Sequence, residues 1–177
     1  MRPEAQRLLR SCCLALLWLP RLVCAADEVR ISEFMAANQD TLRDGYGNAS
    51  DWIELYNAGT NTVNLAGWHL TDDPLNPAKW TFPSVALGPA RFLVVFASGL
   101  GVPDPAGNPH ANFQLSADGE YLALIQPDGT SLASEFRPAY PPQPTDVSYG
   151  FAQHVMATTL IGSNPPARLL VPTVVDD

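Results

Sequence analysis

The stretch that decides the fold runs Ser50-Asp-Trp-Ile-Glu-Leu-Tyr-Asn-Ala-Gly-Thr-Asn-Thr-Val-Asn-Leu-Ala-Gly-Trp-His-Leu-Thr71. Its first part, from Asp51 to Asn57, alternates between two sets of side chains. Trp52, Glu54 and Tyr56 fall on one side, and Ile53 and Leu55 fall on the other. Because successive side chains of a β-strand point to opposite faces, this period of two predicts a strand.

The second part of the stretch predicts a turn and another strand. Residues Asn57 to Asn61 are turn-forming, because Gly59 tolerates a positive φ and Asn side chains bond their own backbone. Gly67 to Thr71 is extended again, and Asp72-Asp73-Pro74 ends it. Nothing in the stretch has the pattern of a catalytic site.

Short strand patterns, separated by Gly and Pro turns, continue on both sides of this stretch. Further strands are expected at residues 29–33, 79–82, 92–96, 113–115, 120–126, 131–136 and 147–151. The unbroken apolar run Phe92 to Phe96 predicts a strand buried on both faces, and the polar segment Asn38 to Ser50 predicts a long loop. About seven to nine short strands with almost no helical periodicity and no internal repeat indicate an all-β sandwich.

The motif Asp51-Trp-Ile-Glu-Leu-Tyr-Asn57, followed by Val63-Asn-Leu-Ala-Gly-Trp-His-Leu-Thr-Asp72, resembles the signature of the lamin-tail domain. That domain is the immunoglobulin-like β-sandwich at the end of nuclear lamins, and it also occurs in exported bacterial proteins. Matching blocks at residues 31–38, 79–83, 92–98 and 113–120 extend the resemblance over most of 29–151. The resemblance implies an immunoglobulin-like sandwich of the exported bacterial type, with a scaffolding or interaction role and no catalytic residues. The motif and core residues are Asp51, Trp52, Glu54, Leu55, Tyr56, Asn57, Gly67, Trp68, Leu70, Trp80 and Phe82.

Residues 1–25 have the three-part layout of a secretory signal peptide. Arg2, Arg7 and Arg10 precede the apolar run Cys13 to Leu19, which is followed by Pro20 and small residues. The apolar run is too short for a stable membrane anchor. We therefore expect cleavage after residue 25 or 26, an exported protein that is extracellular, on the cell surface or periplasmic, and no membrane anchor after cleavage.

All three cysteines, Cys12, Cys13 and Cys24, lie in this leader. The mature chain would have no disulfide, no thiolate zinc site and no cysteine nucleophile. His69, His110 and His154 show no metal-ligand spacing, and Ser98 lacks the first glycine of a nucleophile elbow. The sequence therefore predicts no enzyme.

The charge excludes two classes of partner. The chain carries a net charge of −8, and the leader contributes +3 from four arginines against Glu4, which leaves −11 for the remainder. A surface this acidic repels phosphate backbones and anionic lipid, and no basic cluster interrupts it. We expect a protein or cell-surface partner and no nucleic acid.

Carboxylates and aromatic side chains leave two alternatives open. Oxygen ligands for Ca²⁺ are offered by Asp40, Asp44, Asn48, Asp51, Asp72 and Asp73, although the spacing is not that of an EF-hand and turns need the same residue types; we expect no cofactor and no structural calcium. A carbohydrate-binding module is the alternative function, with Trp52, Trp68, Trp80, Tyr46 and Tyr56 as its candidate rings. We expect the three tryptophans to be core and Tyr46 to be exposed.

These observations predict a signal peptide at residues 1–25, a lamin-tail-like sandwich at 26–155, and a linker or the start of a further segment at 156–177. The function expected is that of a non-enzymatic, exported interaction or scaffolding module that forms part of a larger surface or secreted protein.

Overall fold

The computed structural model describes residues 29–151, which form ten β-strands and no helix. The strands are β1 (Val29–Met35), β2 (Asp51–Asn57), β3 (Val63–Asn64), β4 (His69–Thr71), β5 (Trp80–Thr81), β6 (Ala86–Leu87), β7 (Phe92–Ala97), β8 (Leu122–Ile125), β9 (Leu132–Phe136) and β10 (Tyr149–Gly150). Within this part of the chain, no helix could cross a membrane. The expected signal peptide, the segment 156–177 and His154 lie outside the described residues.

The strands pair antiparallel in two four-stranded sheets, with the orders β10-β1-β2-β7 and β5-β4-β8-β9, while β3 pairs with β6. In the first sheet Met35 lies opposite Trp52, which lies opposite Phe96. In the second sheet Leu70 lies between Trp80 and Leu124. Residues 29–151 form an all-β sandwich, as the strand patterns predicted, and it is immunoglobulin-like, as the family resemblance implied.

The core lies between the two sheets and is built from alternate residues of each strand. The first sheet contributes Ile31, Ile53, Leu55 and Val95 to it. The second sheet contributes Leu70, Leu122 and Leu124, and the segment before β4 contributes Trp68. Phe34 packs against Phe136 and Tyr140, with ring centroids 5.1 and 4.6 Å apart. Trp68 is only 2% exposed and Trp80 only 6%, so these two tryptophans supply the large apolar area that a sandwich without a disulfide needs.

Trp52 corrects one expectation. It was expected in the core, but in β2 the buried residues are Ile53, Leu55 and Asn57, and Trp52 is half-buried on the outer face. The reason is the period of two, which places Trp52 on the side opposite Ile53. Its Nε1–H is buried and finds no acceptor within residues 29–151.

Strand β7 corrects another expectation. Phe92 is 47% exposed, and Leu93 and Val94 are only partly buried, so the run from Phe92 to Phe96 is not a strand covered on both faces. The position of β7 at the end of its sheet explains this, since no full strand lies beyond it. Only its last residues are covered, where Phe96 pairs with His110 of the following connection.

The connections between strands differ sharply in length at the two ends of the sandwich. Four connections, residues 36–50, 72–79, 98–121 and 137–148, lie at one end, which we call the long-loop end. Five connections of four to six residues each lie at the other end, which we call the short-loop end: residues 58–62, 65–68, 82–85, 88–91 and 126–131. The longer connections have room for structure of their own, and binding residues concentrate on such loops when a rigid scaffold holds them.

Candidate interaction surface at the long-loop end

The long-loop end exposes apolar side chains from all four connections. Leu42 (38% exposed) and Tyr46 (52%) belong to the first connection, Leu75 (92%) to the second, Leu100 (50%) and Val102 (57%) to the third, and Val147 (52%) to the fourth. Single exposed apolar residues are normal on any protein. A group at one end of the molecule indicates an interaction surface, provided that the loops that carry it hold a fixed shape.

The first connection is held by Asp44. The Oδ1 atom of this buried aspartate accepts hydrogen bonds from the backbone N–H groups of Tyr46 and Asn48, both at 2.9 Å, and its Oδ2 accepts one from the Ser50 hydroxyl. The backbone closes the same loop, because Asp44 N–H donates to the Asn48 carbonyl and Gly47 N–H donates to the Asp44 carbonyl. Gly47 has a φ of +84°, which glycine adopts without strain.

The third connection repeats this loop. Asp104 Oδ1 accepts from the N–H groups of Ala106 and Asn108, both at 2.9 Å. Asp104 N–H donates to the Asn108 carbonyl, and Gly107, with a φ of +86°, donates to the Asp104 carbonyl. Residues 44–48 and 104–108 thus share the pattern Asp-x-x-Gly-Asn and the same four hydrogen bonds, two accepted by the aspartate Oδ1 and two within the backbone, and we call them the paired loops.

The paired loops are bonded to each other. The N–H of Gly45 donates to Asp104 Oδ2 at 2.6 Å. A Cβ atom on Gly45 would lie 2.6 Å from the Asp104 Cγ, so only glycine allows this approach. The ring of Tyr46 meets the edge of the His110 imidazole, with centroids 6.2 Å apart.

His110 fixes the third connection against β7. It is fully buried, and its Nε2 lies 3.3 Å from Asp104 Oδ2 while its Nδ1 lies 2.7 Å from the Ser98 hydroxyl. Because a carboxylate only accepts, Nε2 carries the proton and Nδ1 accepts from Ser98. The sequence placed His110 in a loop and gave no sign that it would be buried.

Ser98, His110 and Asp104 have the connectivity of a catalytic triad without its surroundings. A triad needs N–H donors free to bind an oxyanion next to its nucleophile. Here the N–H of Gly99 donates to the Phe113 carbonyl, and the N–H of Leu100 points at the Ser98 oxygen itself. Asp104 Oδ2 is shared among Gly45, Asn108 and His110. The arrangement therefore serves to hold the loop.

The two loop aspartates favour their ionised forms. Burial acts to raise the pKa of Asp104, but hydrogen bonds from Asn108, Gly45 and His110 outweigh it and hold the pKa well below its ordinary value. In Asp44 burial is likewise outweighed, by bonds from Asn48, Ser50 and Tyr46, so its pKa is also lowered. Each carboxylate is thus a charged acceptor that organises its loop.

The fourth connection is tied to the first through Asp146. Its Oδ1 accepts from the N–H groups of Gln39 at 2.7 Å and Asp40 at 3.0 Å, and these two bonds lower its pKa. Asn38 adds two more links, because its amide donates to the carbonyls of Leu42 and Ser50. The first connection is therefore held by Asp146 of the fourth connection, by Asp104 of the third, and by the Asn38 amide within the connection itself.

The carboxylates among the calcium candidates are engaged by other partners. Asp40 pairs with Arg43 at 2.8 Å, and Asp72 pairs with Lys79 at 2.5 Å. Asp73 accepts from Leu75 N–H, and Asp51 accepts from Asn38 N–H while burial raises its pKa. Within residues 29–151, no three His, Cys, Asp or Glu side chains gather where they could hold a metal ion. Independence of calcium stays a prediction.

Aromatic side chains also occupy the outer face of the first sheet. Tyr56 stacks on Phe92 at 4.6 Å between centroids, and the Arg30 guanidinium lies 5.5 Å from the centre of the Tyr56 ring. The three side chains come from adjacent strands in register. Because Tyr56 is covered on one side by Arg30 and on the other by Phe92, the row does not form an open platform of several rings.

The remaining motif residues have structural roles. Leu55, Trp68, Leu70, Trp80 and Phe82 are buried, and Glu54 accepts a hydrogen bond from the Ser32 hydroxyl at 2.7 Å. Asn57, fully buried, donates to the carbonyls of Asn61 and Leu87 and closes the short-loop end. Gly67 has a φ of +81° in a turn beside Pro127. Of the motif, Asp51, Trp52 and Trp80 lie next to the long-loop end.

The family model of the lamin tail domain matches residues 24–136, which include β1 to β9 and both paired loops. A search among curated proteins returned no match.

Proposed function

The chain belongs to the lamin tail domain family, and on that premise we propose that it is an exported, non-enzymatic interaction module whose partner is a protein bound at the long-loop end. The observation that carries the proposal is the bracing of the paired loops. These loops bear Tyr46 and adjoin Leu42, Leu100 and Val102, which are all exposed. Holding such side chains in place before a partner arrives lowers the entropy lost on binding.

Export is supported by the sequence layout of residues 1–25, in which arginines precede a short apolar run and small residues. The cleaved protein would then act at the cell surface, in the periplasm or outside the cell, as one module of a larger surface or secreted protein. A chain of net charge −11 after cleavage disfavours nucleic acid and anionic membrane as partners.

The carbohydrate-binding alternative depends on the outer face. Phe92 is 47% exposed and offers one free ring face, which is the observation in its favour. Sugar-binding surfaces gain from several rings open to the ligand, but Trp68 and Trp80 are buried and Tyr56 is covered on both sides. The geometry therefore favours the long-loop end.

A retention experiment separates the two functions. Purified protein is mixed with envelope material from cells that naturally produce it, before and after the envelope is treated with protease. We expect retention that protease abolishes, that the double variant Tyr46→Ser, Val102→Ser loses, and that Leu132→Ser keeps. Leu132 is a matched control because it is 47% exposed and begins β9 beside the short-loop end. Retention that survives protease but is lost in Phe92→Ala would instead support sugar binding.

A further inference from the structure

The charge of the protein is concentrated at the long-loop end. The four connections there hold Asp40, Asp44, Asp72, Asp73, Asp104, Asp118, Glu120 and Asp146 against Arg43, Lys79 and Arg137, a balance of −5 from eight carboxylates and three cations. The five short connections hold Arg91 against Asp128, a balance of zero. The described strands supply the remaining −3, from four carboxylates and Arg30.

Most of these carboxylates reach the surface. Asp44 and Asp104 are buried inside the paired loops, whereas the other six are at least partly exposed and outnumber the three cations. All three cations are already paired, Arg43 with Asp40, Lys79 with Asp72, and Arg137 with Glu135 of β9. Asp118 is exposed, and its side chain has no hydrogen-bond partner among the described residues.

The long-loop end thus carries both exposed apolar side chains and exposed carboxylates, and we propose that it binds a cationic polypeptide segment that also carries apolar side chains. The inference rests on the proposed function and names the chemistry of its partner. Leu42, Tyr46, Leu100 and Val102 would contact the apolar side chains. Asp40, Asp73 and Asp118 would attract lysine or arginine, because complementary charge steers association and selects among partners. A neutral sugar would leave these carboxylates without a partner, and an anionic surface would be repelled by them.

The test uses the full mature chain and three synthetic peptides of twelve residues. The first contains lysine, leucine and serine; in the second every lysine is replaced by glutamate, and in the third every leucine is replaced by serine. Binding is followed by the backbone amide NMR shifts of the protein. We expect the first peptide to shift amides within residues 36–50, 72–79 and 98–121, and to bind at least about tenfold more weakly when salt shortens the Debye length from roughly 14 to 4 Å.

Variants locate the two parts of the surface. Tyr46→Ser with Val102→Ser should weaken binding of the first peptide about tenfold, and Asp40→Asn with Asp118→Asn should reduce both its affinity and the salt dependence. Leu132→Ser should leave both unchanged. The third peptide should bind more weakly than the first, because it lacks the apolar side chains.

Several results would overturn the proposal: equal affinity for the glutamate peptide, shifts centred on the outer face or the short-loop end, or the same shifts produced by millimolar CaCl₂ alone. If none of the peptides binds while envelope retention still depends on Tyr46 and Val102, the partner chemistry is wrong and the proposed function stands. If retention is also independent of those residues, both are wrong.

Discussion

The backbone N–H of Gly45 donates to the buried carboxylate of Asp104 across 59 residues of sequence, at 2.6 Å. This bond joins two loops that have the same internal hydrogen bonds, and the exposed Tyr46 follows directly after it. Binding through long connections usually costs affinity, because the loops lose conformational entropy when a partner orders them. Here the paired loops and Asp146 restrict that freedom, so that the long-loop end is a shaped surface.

Gly45→Ala should destabilise the protein by about 2–4 kcal/mol, because the new Cβ would displace a carboxylate that several N–H groups already hold. Gly47→Ala is the matched control. Gly47 has nothing within 4 Å of an added Cβ, so that this variant costs only the backbone strain of a positive φ, about 1 kcal/mol. Denaturant unfolding of both variants checks the difference. Equal losses would mean that the contact with Asp104 contributes nothing.

Acid should loosen the paired loops. The folded-state pKa values of Asp44 and Asp104 lie below the ordinary value of 3.8, so that their ionised forms stabilise the fold. That contribution is complete well above pH 3.8 and is lost as the pH falls from there through the folded-state values. The free energy of unfolding, measured from pH 7 to pH 2, should therefore fall steeply below about pH 4.

Asp104→Asn should reduce the fall in unfolding free energy below about pH 4, which we call the acid limb. It should also lower stability at neutral pH, because the amide has one acceptor oxygen where the carboxylate has two. Asp118→Asn should keep the limb, because the exposed Asp118 side chain organises no loop. An unchanged limb in Asp104→Asn would show that this carboxylate is not responsible.

Ser98 should not react as a nucleophile, despite its short hydrogen bond to His110. The N–H groups of Gly99 and Leu100, the two residues that follow Ser98, already donate to other acceptors and are not free to bind an oxyanion. We expect no labelling of the protein by a fluorophosphonate probe under conditions that label a serine hydrolase. Labelling that disappears in Ser98→Ala would contradict this account.

His110→Ala should cost about 2–4 kcal/mol in unfolding free energy, because it leaves a cavity and removes a partner from both Ser98 and Asp104.

Much of the fold could be predicted from local patterns. The alternation of Ile53 and Leu55 with their neighbours predicts β2, and the family motif predicts the sandwich. Both predictions depend only on residues that are close in sequence. The same alternation, followed strictly, puts Trp52 on the outer face. The expectation that Trp52 is buried is wrong, because the period of two decides which face a strand residue occupies, whatever the size of its ring.

The long-loop end was harder to foresee. Burial of His110 depends on its pairing with Phe96, and the bond between Gly45 and Asp104 depends on how two distant loops meet. The one available signal was the repeated pattern Asp-x-x-Gly-Asn at residues 44–48 and 104–108. A five-residue repeat with two variable positions is weak in sequence, and only its shared hydrogen bonds give it meaning.

Two tryptophans should respond differently to truncation. Trp68→Ala should cost about 3–5 kcal/mol, because the ring is buried in the core and leaves a cavity. Trp52→Ala should cost about 1–2 kcal/mol, since its ring lies on the outer face and is only half-buried. Thermal or denaturant unfolding of the two variants measures the gap. A well-folded Trp68→Ala protein that had lost binding to a glycan would support the carbohydrate-binding alternative.

The central claim, that the long-loop end contacts a protein partner, is tested most directly by site-specific photo-crosslinking in the cells that produce the protein. Benzoylphenylalanine replaces Tyr46 in one variant and Leu132 in the other, two side chains of similar exposure beside opposite ends of the sandwich. We predict a discrete protein adduct from position 46 that is lost when Gly45→Ala is added, and none from position 132. An adduct from position 132 with none from position 46 would contradict the claim.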